Sequence, residues 1–194
     1  MTLAPWRSPL ARALHRNRSQ LESRYAQLAT VRPDGKPANR TIVFRGFWGE
    51  TNQLKFVTDA RSEKVQHYQH SRWAELCWYF PKTREQFRIL GELQLVTATE
   101  PDLTLQMARS QAWQDLSDRA RAQFAWPTPA QPRATQALLT TDDVLDLTQP
   151  LVSFCLLLLD PTGVDHLELR GDPQNRWIYD RPANSPWQVQ AVNP

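Results

Sequence analysis

The stretch FVTDARSEKVQHY, residues 56–68, changes from an apolar, strand-like run to a helix-like run through a short polar and cationic segment. A strand that ends near Thr58, followed by a helix that begins at Ser62, leaves backbone N–H groups free at the start of the helix. Arg61 and Lys64 lie next to these groups in the sequence. This combination favours the binding of a small anion such as a phosphate group. The alternative is that Ser62 is an ordinary N-cap and Lys64 a solvated cation.

The length and charge of the chain predict one domain, residues 1–194, with a mild positive excess. The chain has 194 residues, 41% of them hydrophobic, with a formal net charge of +3 and a pI near 9.1. A chain of this length can bury one substantial core, whereas two domains would each be small. Its cations are scattered among the acidic residues. This balance favours a small anionic ligand over nucleic acid as the partner.

Cysteine use and hydropathy set further expectations. Cys77 and Cys155 both lie in apolar runs, which predicts buried free thiols rather than a disulfide or a metal site. The N-terminal segment lacks the continuous apolar stretch of a signal peptide, and the longest apolar run, LVSFCLLLLD at 151–160, is too short to cross a bilayer. We therefore expect no metal, no membrane association and a cytoplasmic location.

Hairpin signals dominate the pattern along the chain. The turn RPDGKP, residues 32–37, separates two strand-like runs. Gly91 predicts a bulge in a long strand, and PTG, residues 161–163, predicts a turn between two further strands. Helices are predicted near the N terminus, after Ser62 and across 101–124. About seven or eight strands joined mainly by hairpins predict an antiparallel β-barrel rather than a doubly wound sheet.

Other polar residues are candidates whose patterns favour structural roles. Two arginines bracket RTIVFR, and because side chains alternate along a strand, Arg40 and Arg45 are expected on opposite faces unless the strand twists. His67 is expected on a helix surface, and His166 is assigned no catalytic role. Arg109 is expected to be a solvated helix cation, with a contact to substrate as the alternative.

Four segments in this order, RTIVFR, FVTDARSEK, EQFRILGELQLV and NRWIYDR, resemble the pyridoxine/pyridoxamine 5′-phosphate oxidase family of flavin-binding split barrels. The resemblance runs from about Tyr25 to Pro194 and is loose between Pro101 and Pro150. It implies a mainly β (α+β) protein, an antiparallel split β-barrel with flanking helices. It also implies FMN as the cofactor and a homodimer with FMN bound at the subunit interface.

The resemblance further implies which residues contact the flavin. The family's phosphate-binding arginine falls on Arg40, and the residue that closes the same strand, usually lysine, is Arg45 here. Thr41 and Val43 lie on that strand between them and belong to the same implied site.

The next strand and turn carry the second part of the implied site. An aromatic–Thr pair that lines the flavin in the family falls on Val57 and Thr58, so the aromatic residue is replaced by valine. In the phosphate-binding turn of the family, Ser62 and Lys64 match, whereas the arginine between them is replaced by Glu63.

The remaining implied residues are more distant in the sequence. Arg61 is expected to supply the charge that the turn has lost. The glutamine that approaches the flavin ring falls on Gln86, and the arginine that reaches the ring across the dimer falls on Arg176. The alternatives are that Gln86 is an ordinary strand residue and that Arg176 pairs with a nearby aspartate. A tryptophan that covers the flavin in the oxidases falls near Leu167, so this contact is expected to be lost.

The sequence determines the substrate less well. The oxidases carry an Arg-x-His pair before the cross-dimer arginine, and this chain has Asp172-Pro173-Gln174 there, which counts against vitamin B6 oxidation. We expect an FMN-dependent oxidoreductase of the oxidase-like branch that acts on an unidentified small molecule, with catalytic residues unassigned. The alternatives are an FMN-binding carrier without turnover and a true pyridoxamine 5′-phosphate oxidase.

Overall fold

The computed structural model describes residues 3–133, 148–183 and 185–194. Its helices are α1 (Arg7–Asn17), α2 (Glu63–His70), α3 (Leu103–Gln114) and α4 (Asp118–Ala122), with short 3₁₀ segments at Leu21–Arg24 and Gln123–Ala125. Its strands are β1 (Tyr25–Val31), β2 (Pro37–Val43), β3 (Leu54–Asp59), β4 (Trp73–Phe80), β5 (Glu85–Val96), β6 (Phe154–Glu168), β7 (Asn175–Asp180) and β8 (Gln188–Val192). Among the described residues, none of the helices has the length and apolar character needed to span a bilayer.

The eight strands of the described residues form one antiparallel sheet in the order β2-β1-β4-β5-β6-β7-β8, and β3 pairs with β6 outside this path. Strand β6 is the longest, at 15 residues. One edge of β6 pairs with β5, and the other edge pairs first with β3 and then with β7. The expected antiparallel β architecture with flanking helices is therefore confirmed.

The core follows from the alternation of apolar residues along these strands. Strand β4 (WAELCWYF) buries every second side chain, including Trp78, whose indole N–H donates to the carbonyl of Ser23 at 3.0 Å. A second apolar cluster lies under α3, where Trp113 and Phe154 meet edge to face at 5.0 Å between ring centroids. This second cluster supports the region in which β3, α3 and the start of β6 come together.

The predicted turn at 161–163 is wrong, because β6 continues through these residues. The predicted bulge at Gly91 is confirmed by a register shift between Leu90 and Gly91 of β5, opposite Pro161. A Cβ atom at position 91 would lie 2.3 Å from the carbonyl oxygen of Asp160. Glycine is thus required where the two backbones approach closely, and the chain accommodates Pro161 by a local irregularity rather than by reversing direction.

Two further expectations are corrected by burial. Arg109 is 4% exposed rather than solvated, and its guanidinium donates to the carbonyls of Phe154 (3.0 Å) and Leu151 (2.7 Å), which anchors α3 to the start of β6. His67 is 1% exposed rather than on the surface of α2. Both cysteines are free, as expected, although only Cys155 is fully buried.

Candidate functional site

Lys64 lies at the centre of a compact group of polar side chains. Its ammonium group donates to the hydroxyl oxygens of Thr58 at 3.0 Å and Ser62 at 3.1 Å, and these two oxygens are 3.2 Å apart. Arg40 is the nearby cation that most strongly influences Lys64. We refer to Arg40, Thr58, Ser62 and Lys64 as the cation corner.

The cation corner forms because β3 ends at Asp59 and α2 begins at Glu63, with the N–H of Ser62 donating to the carbonyl of Asp59 at 3.1 Å. Ser62 occupies the N-cap position of α2, but its side chain makes no capping hydrogen bond. The Ser62 hydroxyl contacts Lys64 and Thr58 instead. The N-terminal N–H groups of α2 therefore lack a cap from Ser62, and the start of this helix suits an anion.

Arg40 approaches the cation corner from β2. Its register partner on β1 is Leu28, which is fully buried. The guanidinium donates to the carbonyl of Leu28 at 3.0 Å and to the hydroxyl of Thr30 at 2.7 Å. Burial lowers the pKa of Arg40. The side chain is thus fixed by neutral acceptors, which leave its positive charge uncompensated at close range.

The electrostatics of the corner favour an anion. None of the ion pairs formed by the described residues includes Lys64 or Arg40. Burial lowers the pKa of Lys64, and the positive charge of Arg40 lowers it further, against smaller raising effects of Asp59 and Glu63. Two cations that repel each other and are partly desolvated gain from a phosphate, which can accept charge-assisted hydrogen bonds from both.

Two residues of the cation corner, Thr58 and Lys64, line a cavity of about 360 Å³. Arg45 and Val57 line it as well, together with Asp59, whose carboxylate is bound by Arg61. The rest of the lining, which we refer to as the wall, consists of Leu116 between α3 and α4, Ala120 of α4, and four residues after α4: Gln123, Phe124, Trp126 and Pro129. A cationic end with a largely apolar wall fits a ligand that combines a phosphate with an aromatic ring system.

The arginines at the two ends of RTIVFR behave as the alternation rule predicts. Arg40 turns towards Thr30 and His67, whereas Arg45 is exposed beyond the end of β2 and borders the cavity together with Val57. Between them on β2, Thr41 is exposed and Val43 is half-buried.

Arg61 contacts the wall of the cavity. It forms a two-point ion pair with Asp59, at 2.9 Å from Nε to Oδ1 and 2.6 Å from Nη2 to Oδ2. The same guanidinium donates to the carbonyls of Phe124 (3.1 Å) and Trp126 (2.8 Å). Its charge is therefore compensated by Asp59, and it ties the cavity wall to the end of β3. A direct contact between Arg61 and phosphate stays a prediction.

Gln86, Leu167 and Arg176 form a second group, which we refer to as the far row. They lie directly opposite one another on β5, β6 and β7 and therefore share one face of the sheet. Arg176 donates to both carboxylate oxygens of Asp165, at 3.0 and 2.7 Å. The pairing of Arg176 with a nearby aspartate, which the sequence left open, is thus present.

The cation corner and the far row lie at opposite ends of β6. Thr58 pairs with Cys155 near the start of β6, whereas Leu167 lies twelve positions further along the same strand. At about 3.3 Å per residue, this separation is on the order of 40 Å along an extended strand. One ligand of the size suggested by the cavity does not reach both groups of a single chain.

One group of three potential metal ligands occurs among the described residues: Glu85, His166 and Glu168, with ligand atoms within 4.8 Å of one another. The Nε2 atom of His166 lies 3.0 Å from Glu85, and the ring stacks on Phe87 at 4.0 Å. Metal-bound imidazoles normally donate their second N–H to an acceptor, but Nδ1 of His166 is buried without a partner. The ring is therefore better explained by packing and its bond to Glu85 than by metal binding.

Comparison with known proteins identifies the family of this chain. Residues 3–97 match the family model described as "Pyridoxamine 5'-phosphate oxidase, FMN-binding domain". A protein of Arabidopsis thaliana named "Pyridoxine/pyridoxamine 5'-phosphate oxidase 2" is 36% identical over 196 residues, which cover 99% of this chain and 98% of the relative. The chain belongs to the pyridoxamine 5′-phosphate oxidase family. The resemblance found in its motifs is thus confirmed, and FMN is the cofactor of this family's matched domain.

Solved structures agree with this assignment. A pyridoxamine 5′-phosphate oxidase-related, FMN-binding protein from Nostoc punctiforme PCC 73102 is 56% identical, with a TM-score of 0.95 over 100% of both chains. PhzG from Burkholderia lata 383, determined with tetrahydrophenazine-1-carboxylic acid, has a TM-score of 0.77 at 20% identity and covers 96% of this chain and 91% of its own. At that identity PhzG supports the fold alone, and the expected split-barrel fold class is confirmed.

Sequence reasoning missed the residues that hold Arg40 and those that wall the cavity. Thr30 and His67 contact Arg40, and Phe124 and Trp126 line the cavity together with Thr58 and Lys64. The register of the first hairpin, extrapolated from its turn at 32–37, would have placed Leu28 opposite Arg40 and Thr30 diagonally next to it on the same face. No sequence signal indicates the wall residues, because their place beside Thr58 and Lys64 depends on packing between segments that are far apart in the sequence.

Proposed function

We propose that the chain is an FMN-dependent oxidoreductase that acts on a small molecule. The observation that supports this most strongly is the cation corner: two cations without carboxylate partners, two hydroxyls and an uncapped helix start, beside a cavity with apolar walls. FMN carries a phosphate and a planar aromatic ring, and both match this environment. When bound, FMN supplies the capacity to accept and donate electrons.

The residues of this chain would bind, orient and shield that cofactor. Arg40, Lys64, Thr58 and Ser62 would hold the phosphate through charge-assisted hydrogen bonds. Val57 and the wall of the cavity would pack against apolar parts of the ligand and exclude water. Arg45, which is exposed at the border of the cavity, would meet an anionic group of a substrate or of the cofactor.

We further propose that the protein acts as a homodimer with FMN at the subunit interface. The argument is the separation of the cation corner from the far row along β6. If Gln86 and Arg176 contact the flavin ring while Lys64 holds its phosphate, the two sets must come from different copies of the chain. Arg176 would then offer N–H donors to the ring, with its charge already compensated by Asp165.

Subunit complementation tests the shared site. Chains carrying Lys64→Met and chains carrying Arg176→Met are co-expressed with different affinity tags, and the heterodimer is isolated. In a shared site, one of its two sites contains an intact Lys64 and an intact Arg176, so half of the wild-type capacity for tight FMN binding should return. Each single-variant homodimer is the control. Tight binding that stays absent in the heterodimer would contradict the interface site.

Oxidation of a vitamin B6 phosphate is the second candidate. It is favoured by the full-length similarity to the Arabidopsis protein that bears that name and opposed by the loss of the Arg-x-His pair at Asp172–Gln174. Incubation of FMN-loaded protein with pyridoxamine 5′-phosphate in air decides between the two. Formation of pyridoxal 5′-phosphate would identify this substrate, whereas FMN binding without this product would direct the search to other electron donors.

A further inference from the structure

His67 is a buried polar residue that no motif singles out. It lies on α2, one turn after the cation corner, and is 1% exposed. Its Nδ1 atom is 2.9 Å from the hydroxyl of Thr30 and 3.4 Å from Nη2 of Arg40. Its Nε2 atom is 3.3 Å from a carboxylate oxygen of Glu63. The imidazole therefore lies between the corner's arginine and a surface carboxylate.

The donors and acceptors of this group have only one consistent order. A guanidinium has no acceptor, so Arg40 donates to the hydroxyl oxygen of Thr30 at 2.7 Å. Nη2 of Arg40 also faces Nδ1 of His67 at 3.4 Å and can only donate, so Nδ1 is the acceptor nitrogen of the ring, and the Thr30 hydroxyl directs its own hydrogen to Nδ1 at 2.9 Å. The ring hydrogen consequently lies on Nε2, which faces Glu63.

Glu63 is held in turn from outside. Its carboxylate accepts from Nε of Arg32 at 3.2 Å, and the pKa of Glu63 is lowered mainly by this hydrogen bond, with a smaller contribution from His67. The negative charge of Glu63 favours an N–H rather than a lone pair at Nε2. Glu63, which replaces the arginine of the family's phosphate-binding turn, thus fixes the tautomer of His67 that Arg40 and Thr30 require.

We propose that His67 is a positioning residue for Arg40. By accepting at Nδ1, it orients the Thr30 hydroxyl as an acceptor for Arg40 and keeps the guanidinium aimed at the cation corner. This proposal rests on the proposed function, because it assumes that Arg40 binds the FMN phosphate. Its consequence is specific: loss of His67 should weaken recognition of the phosphate and leave recognition of the ring unchanged.

The test compares FMN with riboflavin, which has the same ring and no phosphate. Dissociation constants for both ligands are measured for the full-length protein and for His67→Phe, which fills the space without an acceptor. We expect the affinity for FMN to fall about tenfold, the usual effect of losing one hydrogen bond near a charged group, with riboflavin binding within twofold of wild type. His67→Asn, whose amide oxygen can occupy the place of Nδ1, should restore most of the loss.

Three further variants complete the test. His70→Phe is the matched control, because His70 is exposed on the same helix, and it should change neither ligand. Thr30→Val removes the intermediate hydroxyl and should reproduce the loss seen with His67→Phe, which also covers the case in which that variant does not fold. In an Arg40→Met background, His67→Phe should cause no additional loss of FMN affinity, because the residue it positions is gone.

The outcomes separate the two proposals. If Arg40→Met weakens FMN binding but His67→Phe and Thr30→Val do not, the positioning role is wrong and the phosphate site stands. If both His67→Phe and Thr30→Val weaken the binding of FMN and of riboflavin equally, His67 supports the structure of the whole site rather than the phosphate contact. The positioning role is then again wrong. If Arg40→Met leaves FMN binding unchanged, Arg40 does not bind the phosphate, and both proposals fail at this residue.

Discussion

The cation corner and the far row differ in how their positive charges are compensated. In the corner, Lys64 and Arg40 donate to hydroxyl and carbonyl oxygens and have no carboxylate partner among the described residues. In the far row, Arg176 is bound at two points by Asp165, which also accepts from Arg88 at 2.8 Å. The first region is prepared for a ligand that brings negative charge. The second offers N–H donors without adding much net charge.

Removing a charge from the cation corner should have the largest effect on the ligand. Lys64→Met keeps most of the side-chain volume and loses the ammonium group, so FMN binding should weaken by about 1.5–3 kcal/mol, the range for hydrogen bonds to charged groups. Riboflavin binding should change little. The comparison is made by fluorescence titration of both flavins, with Lys36→Met as the control, since Lys36 is exposed and paired with Asp34. An equal loss for both flavins would contradict a phosphate contact.

The close approach of β5 and β6 at Gly91 lies between the two regions, and disturbing it should have the next largest effect. Gly91→Ala should destabilise the fold by about 1–3 kcal/mol, as for other substitutions that force extra atoms into a packed site, because the added Cβ would lie 2.3 Å from the carbonyl oxygen of Asp160. Denaturant unfolding measures this change. Gly163→Ala is the matched control on β6, where a Cβ would meet nothing closer than 3.9 Å. Equal stability of the two variants would show that the backbones can separate at Gly91 without cost.

The same position shows how far the sequence could be read. Period-two patterns and turn signals were enough to predict the hairpins, the bulge at Gly91 and the short helix after Ser62. The turn predicted at 161–163 was wrong, because proline and glycine favour a turn locally while pairing along β5 holds the strand together. The pairing of β5 with β6 joins residues that are far apart in the sequence, so local sequence does not reveal it. This pairing outweighs the local preference of residues 161–163 for a turn.

The candidate site divides in the same way. Residues close in sequence, such as Thr58, Ser62 and Lys64, could be placed together from one motif. The burial of His67 could not, since it depends on the packing of α2 against β1. The sequence left open whether Arg176 pairs with a nearby aspartate, and the register of β6 and β7 brings it to Asp165.

Removing the carboxylate that compensates the charge of Arg176 in the far row should have a smaller effect on the bound flavin. Asp165→Asn leaves Arg176 and Arg88 without their shared carboxylate, so the far row gains positive charge. If a partner's far row meets the flavin ring, the reduction potential of bound FMN should rise by roughly 10–20 mV, a small change because the pair is partly exposed. Asp180→Asn on the same strand as Arg176 is the control, because Asp180 is exposed and forms no ion pair with the described residues. Identical reduction potentials in the two variants would show that the far row does not lie next to the flavin ring.

The smallest effect is a dependence of FMN affinity on alkaline pH. Burial and the charge of Arg40 lower the pKa of Lys64 from its ordinary value of 10.5, so the free protein begins to lose this proton at a lower pH than an exposed lysine would. A bound phosphate favours the ammonium form and raises that pKa, so binding takes up a proton in the interval between the two values. FMN affinity should therefore decline as pH rises through the lowered pKa, while the phosphate, whose second pKa is near 6, stays fully ionised.

The measurement compares FMN with riboflavin across this pH range. Expressing the result as the ratio of FMN to riboflavin affinity cancels titration of the shared ring, and Lys64→Met should abolish the slope of that ratio. A slope that persists in Lys64→Met would mean that another group in or near the cation corner, and not Lys64, loses the proton that the phosphate retains.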